Sequence, residues 1–560
     1  MSRLHSIFPF LSWPRPTPHL LRVEAIAGLT VGLMAIPQGV AYAALAGMPL
    51  VTGVYASLLP TLVAALWGGS VRLSVGPTAL TCLLVTASLT GLAQPGSAEW
   101  VNLAVWLALL SGLLQVGLGL VRAGWLLNLV NSPVLTAFTQ AAALLIISSQ
   151  LPVMLGLAGS VGSWLQAGAL PALQMGTLAF GLGSLTVLWF ARRLRPTFPG
   201  VLMVMVGAGA LSYALGFNAS GGAVVGALPG GMPGIYVPSW PGWDTLGKLV
   251  VPVAVISLVS FIETAASAKQ DNAALQKGWD QNQDLIGQGM AKLAAAVSGA
   301  FPTSSSFSRS ALNLYAGAQT GWANVMAVGL VLVTLLWLLP LLHHVPQAVL
   351  AAVVVLAVLG LVKPGAFVRI WRTSRVEAAI AAATFGITLL TAPRMYWGIL
   401  TGVLLTLSHF LYVRLHPRII EVGLHPDGRL RDRHLWKLPP VAPRTCALRM
   451  DAELDFGSAS ALENAVTAYL VEHPDTRNVM LFAQPINRID ATGVEVFGRL
   501  RSTLISQDRT LYVVGLKLPV ETILRRVGEL PDHPQLRCFA TEADALTEVA
   551  GLADSIEYHI

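Results

Sequence analysis

Apolar residues run in long blocks through the first three quarters of the chain. Blocks at 25–46, 50–68, 101–121, 134–155, 174–191, 198–216, 247–268, 322–342, 346–362, 376–392 and 396–413 each approach the roughly 20 residues that cross a bilayer as a helix. Shorter apolar pieces lie at 77–92, 286–300 and 306–319. Together they predict an α-helical polytopic membrane protein with about fourteen transmembrane segments. Beyond residue 416 the pattern changes to alternation. A strand is expected near Thr445–Arg449, a helix from Ser458 to Val471 and a strand at Asn478–Phe482. A helix then follows Asp490-Ala491-Thr492-Gly493, and another strand comes at Leu511–Val514. Strands alternating with helices imply a helix-backed sheet, hence a soluble α/β domain. The expected division is 1–22 as an N-terminal cytoplasmic segment, 23–415 as the membrane domain, 416–440 as a linker and 441–560 as the soluble domain.

Charge sharpens that division. Hydrophobic residues make up 54% of the chain and charged ones 11%, against about 25% charged in soluble domains. Residues 1–415 hold 19 basic and 8 acidic residues, and 416–560 hold 16 and 20. The basic excess therefore sits between apolar spans, not on a soluble face, which argues against nucleic-acid binding. With Lys248 and Arg394, in the opposite loops, as the exceptions, Arg3, Arg15, Arg22, Arg72, Arg122, Arg192, Arg193, Arg195, Lys269, Lys277, Lys363, Arg369, Arg372, Arg375, Arg414 and Arg418 fall in alternate loops. By the positive-inside rule those loops and both termini are cytoplasmic, in a cell inner (plasma) membrane. Stretches 156–172 and 217–247 carry no Lys or Arg. The start, Met1 to Leu20, is broken by prolines and has no cleavable apolar core. Cys82, Cys446 and Cys538 are far apart and form no metal-type spacing, so they are expected to be buried or inert. No cofactor motif and no Walker-type P-loop is present, which excludes pumping by direct hydrolysis.

Two segments break the helical pattern, Ser74-Val75-Gly76-Pro77-Thr78-Ala79-Leu80 and Phe301-Pro302-Thr303-Ser304-Ser305-Ser306-Phe307-Ser308-Arg309-Ser310. Each is an extended stretch ahead of a short apolar helix, since proline disfavours helix at the residue before it. Non-helical backbone at membrane depth must be buried in protein or line a cavity. A pair of interrupted helices in corresponding halves marks a transport site. Two helix N-termini facing each other supply free N–H groups and positive dipole ends for an anion. Three polar residues stand in apolar surroundings. Glu263 lies within Val253–Ala268, where a charge costs about 2.5–3.5 kcal/mol at the bilayer centre and is a functional candidate. Arg309 begins the second short helix, placed to pair with Glu263 or to draw in an anion. Gln38, beside Pro37, is either a ligand or a helix–helix hydrogen bond.

These residues identify a resemblance. Pro37-Gln38-Gly39-Val40-Ala41-Tyr42-Ala43, Val75-Gly76-Pro77-Thr78, Asn131-Ser132-Pro133-Val134, Asn282-Gln283-Asp284-Leu285, Ser306-Phe307-Ser308-Arg309-Ser310 and Pro346-Gln347-Ala348 resemble the SulP sulfate permeases, bacterial relatives of the solute-carrier anion exchangers. The tail resembles the STAS domain that typically closes that family. The resemblance implies two inverted seven-helix repeats with two half-helices, a mobile core and a gate, a homodimer, and a substrate held between the third and tenth helices. It implies substrate contacts from Gln38, Tyr42, Thr78, Ala79, Phe307, Ser308 and Arg309. Cation coupling falls to Glu263 and Ser267, with proton or sodium left open and a proton favoured. It makes Asp490 and Thr492 regulatory, in a loop where relatives bind partners, nucleotides or phosphate. Ala491 stands where relatives often have Ser, and the plain reading of Thr492 is a helix cap.

The function expected is secondary active transport of a small anion (sulfate, bicarbonate, or a dicarboxylate such as fumarate) by an elevator-like motion, with no enzymatic activity. An uncoupled channel or exchanger shares all these motifs. A nucleobase permease fits less well, since Ser308-Arg309 stands where that group carries a second acid. An intramembrane serine hydrolase using Ser304–Ser308 with His343 or His344 lacks the Gly-x-Ser-x-Gly elbow. A regulator merely anchored by its spans leaves the interrupted helices without purpose.

Overall fold

The computed structural model describes residues 8–129, 131–157, 173–194 and 200–550; Arg3, Arg195 and most of the base-free stretch 156–172 lie outside them. The chain divides into two compact units, Met1–Thr406 and Leu407–Ile560.

In the first unit the described helices are α1 (Pro18–Leu45), α2 (Leu50–Tyr55), α3 (Leu59–Trp67), α4 (Ala79–Leu89), α5 (Ala98–Leu120), α6 (Ser132–Leu155), α7 (Met175–Leu194), α8 (Gly200–Ala214) and α9 (Trp243–Ala274). They continue with α10 (Gln281–Val297), α11 (Phe307–Tyr315), α12 (Trp322–Val333), α13 (Gln347–Leu359), α14 (Gly365–Thr373) and α15 (Arg375–Leu390). The last span, α16 (Tyr396–Leu415), runs across the division between the units. Each predicted apolar segment is thus a helix. Two depart from a plain span. Block 50–68 is interrupted between α2 and α3, where Pro60 stands in the first turn of α3 and has no N–H to continue a helix. Block 322–342 passes from α12 into a π turn at Thr334–Leu338 and a 3₁₀ turn at Leu339–Leu342 that contains Pro340. The basic stretch between α13 and α15, read as a loop, contains the short helix α14, where Phe367 meets Phe385 of α15 edge-on.

Glycines set two helix–helix distances. A Cβ on Gly53 of α2 would fall 1.9 Å from the Gly39 carbonyl oxygen of α1. A Cβ on Gly289 of α10 would fall 2.7 Å from that of Gly112 on α5. Backbone-to-backbone packing of this kind is how membrane helices gain contact when burial from water is not available between them. The Asn282-Gln283-Asp284 motif is a clasp. Asp284 Oδ1 accepts from Gly69 N (2.8 Å) and Ser70 N (3.0 Å), Gln283 Nε2 donates to the Trp67 carbonyl (2.6 Å), and Asn282 Oδ1 accepts from Gly124 N (2.9 Å). It ties the start of α10 to the turn leaving α3. The N-terminal segment packs by aromatic edges, Phe8 on Trp67 and Trp13 on Trp322.

The second unit is a six-stranded mixed sheet in the order β4-β3-β5-β6-β7-β8. Its strands are β3 (Ile419–Leu424), β4 (Leu430–Asp432), β5 (Thr445–Met450), β6 (Asn478–Phe482), β7 (Thr510–Val514) and β8 (Leu536–Phe539); β1 and β2 belong to the first unit and are described below. Strands β5 to β8 are parallel and β3 is antiparallel to both neighbours. Alternate residues face opposite sides. Cys446, Leu448, Val479 and Leu481 meet the helices α18 (Ala459–Glu472), α19 (Ala491–Ser506) and α20 (Leu518–Arg526), while Ala447, Met480 and Phe482 face α21 (Glu542–Ala550). The stretch 416–440, expected as a linker, instead supplies β3, β4 and the turn of helix α17 (Arg433–Trp436). Its apolar residues alternate over only a few positions, too few to stand out before β5 gives β3 a partner.

Candidate functional site

Pro77 and Pro302 keep the chain extended where the two interrupted segments meet. There β1 (Val75–Gly76) pairs antiparallel with β2 (Ser304–Ser305), Val75 opposite Ser305 and Gly76 opposite Ser304. Each strand leads directly into a half-helix. Thr78 caps α4 by accepting from Thr81 N (3.3 Å), and Ser306 caps α11 by accepting from Arg309 N (3.4 Å). Capping satisfies one of the four free donors at each helix start and leaves others, with the positive dipole end, at the crossing. Ala79 is the first residue of α4 and is buried.

Arg309 is 1% exposed. Its Nη1 donates to Gln38 Oε1 (3.2 Å) and the Pro77 carbonyl (3.1 Å), and its Nε to Ser74 Oγ (3.3 Å). Its Nη2 is buried and has no hydrogen-bond partner among the described residues. The pairing with Glu263 is therefore not formed. The guanidinium lies along the extended backbone of 74–77, and Glu263 Oε2 accepts instead from Thr78 Oγ1 (3.1 Å) and Thr81 Oγ1 (3.3 Å). Ser267 donates to the Glu263 backbone carbonyl (3.2 Å) and not to its carboxylate. Tyr42 is buried one turn from Gln38.

A cavity of about 310 Å³ opens beside α11. Gln38, Phe307 and Ser308 line it, together with Thr30, Gln270 and Tyr315, which the sequence reading passed over. Thr78, Ala79, Tyr42, Glu263, Ser267 and Arg309 do not. The predicted residues thus form a cavity wall, with Arg309 behind it, and a separate Glu263–Thr78–Thr81 cluster at the start of α4.

Sequence reading also missed Lys292. It is fully buried in α10, and its Nζ donates to Gln115 Oε1 (2.8 Å) and Ser260 Oγ (2.8 Å). Ser304 of β2 donates to the Ser260 carbonyl (3.2 Å), so Lys292 supports the crossing from beneath. It interacts electrostatically with Glu263 without a contact ion pair. Its signal was the one that exposed Glu263, a charge inside an apolar segment. Glu24 is likewise fully buried, accepting from Gln319 N (3.0 Å) and Thr320 N (2.8 Å). Two positive helix ends and two buried cations around one short sheet make a field that attracts an anion and opposes a second cation.

The sulfate permease family model matches residues 21–384, and the STAS domain model matches 438–545. The chain belongs to the sulfate permease family. The family membership expected from the motifs is thereby borne out, and its relatives are named as transporters, not enzymes. A probable sulfate transporter of Mycobacterium tuberculosis (strain CDC 1551 / Oshkosh) is 30% identical over 92% of this chain and 93% of its own. The chloroplastic sulfate transporter 4.1 of Arabidopsis thaliana is 29% identical over 94% and 80%. Among solved structures, SLC26A9 superposes with a TM-score of 0.87 at 19% identity, covering 99% of this chain and 94% of that one. The transmembrane domain of the cyanobacterial bicarbonate transporter BicA gives 0.58 at 21% identity over 70% and 98%. The SLC26A9 likeness carries the fold along the whole chain and the BicA likeness that of a transmembrane domain, while the STAS assignment rests on the family model.

In this permease's STAS domain the cap of α19 is Asp490, not Thr492. Asp490 Oδ1 accepts from Gly493 N (2.8 Å) and its Oδ2 accepts from Phe456 N (2.9 Å). Thr492 stands two positions too late for a cap and is exposed. Asp490 therefore fastens the loop before α18 to the start of α19. Arg414, near the end of α16, binds that same loop through Glu453 and Asp455 (2.7 Å to Asp455). Cys82 and Cys446 are buried as expected, whereas Cys538 on the edge strand β8 is exposed.

Proposed function

We propose that this permease is a secondary active transporter of a small anion, sulfate first and bicarbonate or a dicarboxylate next, coupled to a proton. The observation that carries the reading is the buried Arg309 guanidinium, with one donor unused, at the crossing of two half-helix N-termini. The names of the relatives favour sulfate.

The anion sits in the cavity against Gln38 and Ser308 and takes its stabilisation from the dipole ends and from Arg309 behind the wall. Glu263 is held at the start of α4 by two hydroxyls. Ionised, it opposes the anion by about 2.4 kcal/mol per unit of anion charge at a separation on the order of 7 Å and an effective dielectric of about 20. Protonated, it does not. Anion and proton then raise each other's affinity by the same factor, as linkage requires. In this reading an elevator-like movement of the half-helix unit carries both across, the basic loops and both termini face the cytoplasm of a bacterial inner membrane, and the protein works as a homodimer whose STAS domain meets a cytoplasmic partner through the Asp490–Thr492 loop.

The test is uptake of labelled sulfate, bicarbonate and fumarate into liposomes with and without an inward proton gradient. Concentrative uptake that needs the gradient, and loses its pH dependence in Glu263→Gln, is the expected result. Uptake that only equilibrates, or a Glu263→Gln protein that still accumulates anion in a pH-dependent way, refutes the coupling.

A further inference from the structure

The anion cavity has two unlike walls. Its polar residues, Thr30, Gln38, Gln270, Ser308 and Tyr315, all come from α1, α9 and α11. Everything that α7, α8 and α13 contribute is apolar, Leu188, Val201, Leu202 and Val353 among them. A small hydrated anion uses the first wall and finds nothing on the second. A cavity lined in this way suits a ligand with a charged head and an apolar body.

The apolar wall leads further. Ala191, in the last turn of α7, and Gly200, the first residue of α8, line this cavity and also a groove of about 340 Å³ between those two helices. Apart from Ser184, the described lining of the groove is apolar. Val187, Met203 and Leu211 in that lining are exposed, so on spanning helices the groove opens to lipid acyl chains. Gly183 and Gly207 keep it wide, since a Cβ on either would meet no heavy atom within 4 Å. A methylene occupies as much space as a water molecule in the liquid, about 30 Å³, so the groove admits a single chain on the order of ten carbons.

At the cavity end the head meets donors. Gln38 Oε1 accepts from Arg309 Nη1 (3.2 Å), which leaves its Nε2 as the donating end of the amide. Ser308 Oγ lies 3.3 Å from Ser306 Oγ, and either can donate. Where Ser306 donates, the Ser308 proton is left for a ligand.

We propose that cavity and groove together bind the anion of a single-chain fatty acid, its carboxylate on Gln38 and Ser308 and its chain between α7 and α8, and that this amphiphile blocks transport. The inference rests on the reading that the transported anion occupies the same cavity. The field of Arg309 and of the two half-helix ends acts on a carboxylate as it does on sulfate. A head held by α1 and α11 and a chain held by α7 and α8 tie the half-helices to the opposite wall. A neutral chain of equal length has only the second contact, and a short carboxylate has only the first.

The test is labelled-sulfate counterflow at equal pH in liposomes holding the full-length protein, inhibited by acetate, decanoate or 1-decanol. Each buried methylene strengthens binding about fourfold, so decanoate is expected to inhibit at a concentration roughly a hundredfold or more below that of acetate. The inhibition is expected to compete with sulfate and to exceed that by 1-decanol. Uptake into the bilayer also rises with chain length, so groove variants decide. Gly207→Leu and, on the other helix, Gly183→Leu each put a side chain into the groove where there is space for it. Displacing two methylenes, either is expected to raise the decanoate concentration for half inhibition about tenfold, with sulfate counterflow and acetate inhibition unchanged. Equal inhibition of variants and unaltered protein by decanoate overturns the site and marks a bilayer effect. So does 1-decanol as potent as decanoate, or loss of sulfate counterflow in both variants. If the unaltered protein shows no counterflow, the transport reading fails by itself. Binding of labelled decanoate to purified protein then decides the site: about tenfold weaker binding to Gly207→Leu supports it, and equal binding overturns it.

Discussion

Replacing Arg309 by glutamine removes a full positive charge at the strand crossing while keeping a donor of shorter reach. The side chain does not line the cavity, so its contribution to anion affinity is Coulombic and not a direct contact. At a separation on the order of 7 Å and an effective dielectric of about 20, one charge is worth about 2.4 kcal/mol to a monovalent anion and about 4.7 kcal/mol to a divalent one. Those energies convert to affinity losses of about 50-fold and about 2,500-fold at roughly 1.4 kcal/mol per tenfold. The loss on a logarithmic scale is therefore twice as large for sulfate as for bicarbonate. Equilibrium binding to purified Arg309→Gln protein, by calorimetry or by solid-supported-membrane currents, measures both. The variant also leaves acceptors at Pro77 and Gln38 short of donors, at about 1–3 kcal/mol for each group left unsatisfied. A thermal unfolding control must show it still folded. Equal logarithmic losses for the two anions, or no loss in a folded variant, refute a charge-based role.

Three further outcomes are expected. Gly53→Ala places a methyl 1.9 Å from the Gly39 carbonyl oxygen, and overpacking of this kind costs about 1–3 kcal/mol. The unfolding temperature should fall, and an unchanged value means that α1 and α2 are not in backbone contact. In the STAS domain, burial would raise the Asp455 carboxyl, but hydrogen bonds from Arg414 and Ser458 outweigh it and hold the group below the usual aspartate range. The stability it contributes is then in place above the ordinary aspartate value of about 3.9 and is lost as pH falls below it. Hydrogen exchange in residues 453–458 should accelerate on acidification through that window, and acid-independent exchange refutes the clamp. Maleimide should label Cys538 alone, since Cys82 and Cys446 are buried. Labelling that persists in Cys538→Ser contradicts the burial of the other two.

The hydrophobic blocks determined the membrane domain on their own, because a bilayer allows so few ways to bury a backbone that length and polarity nearly specify the element. Pro77 and Pro302 likewise announced the interruptions ahead of the half-helices, since proline acts on the residue just before it. The strand periods of the STAS core were legible for the same local reason, and Glu263 and Arg309 stood out as charges in apolar surroundings. What each charge pairs with was not legible. Arg309 turns to Ser74, Pro77 and Gln38, and Glu263 to Thr78 and Thr81, partners that lie about 180 to 270 residues away in sequence. The support from Lys292, the cap by Asp490 instead of Thr492, the clasp of Asp284, and the recruitment of 416–440 into the sheet also depend on which backbones the fold brings together. Periodicity reports the face a residue presents, and only tertiary packing decides what that face meets.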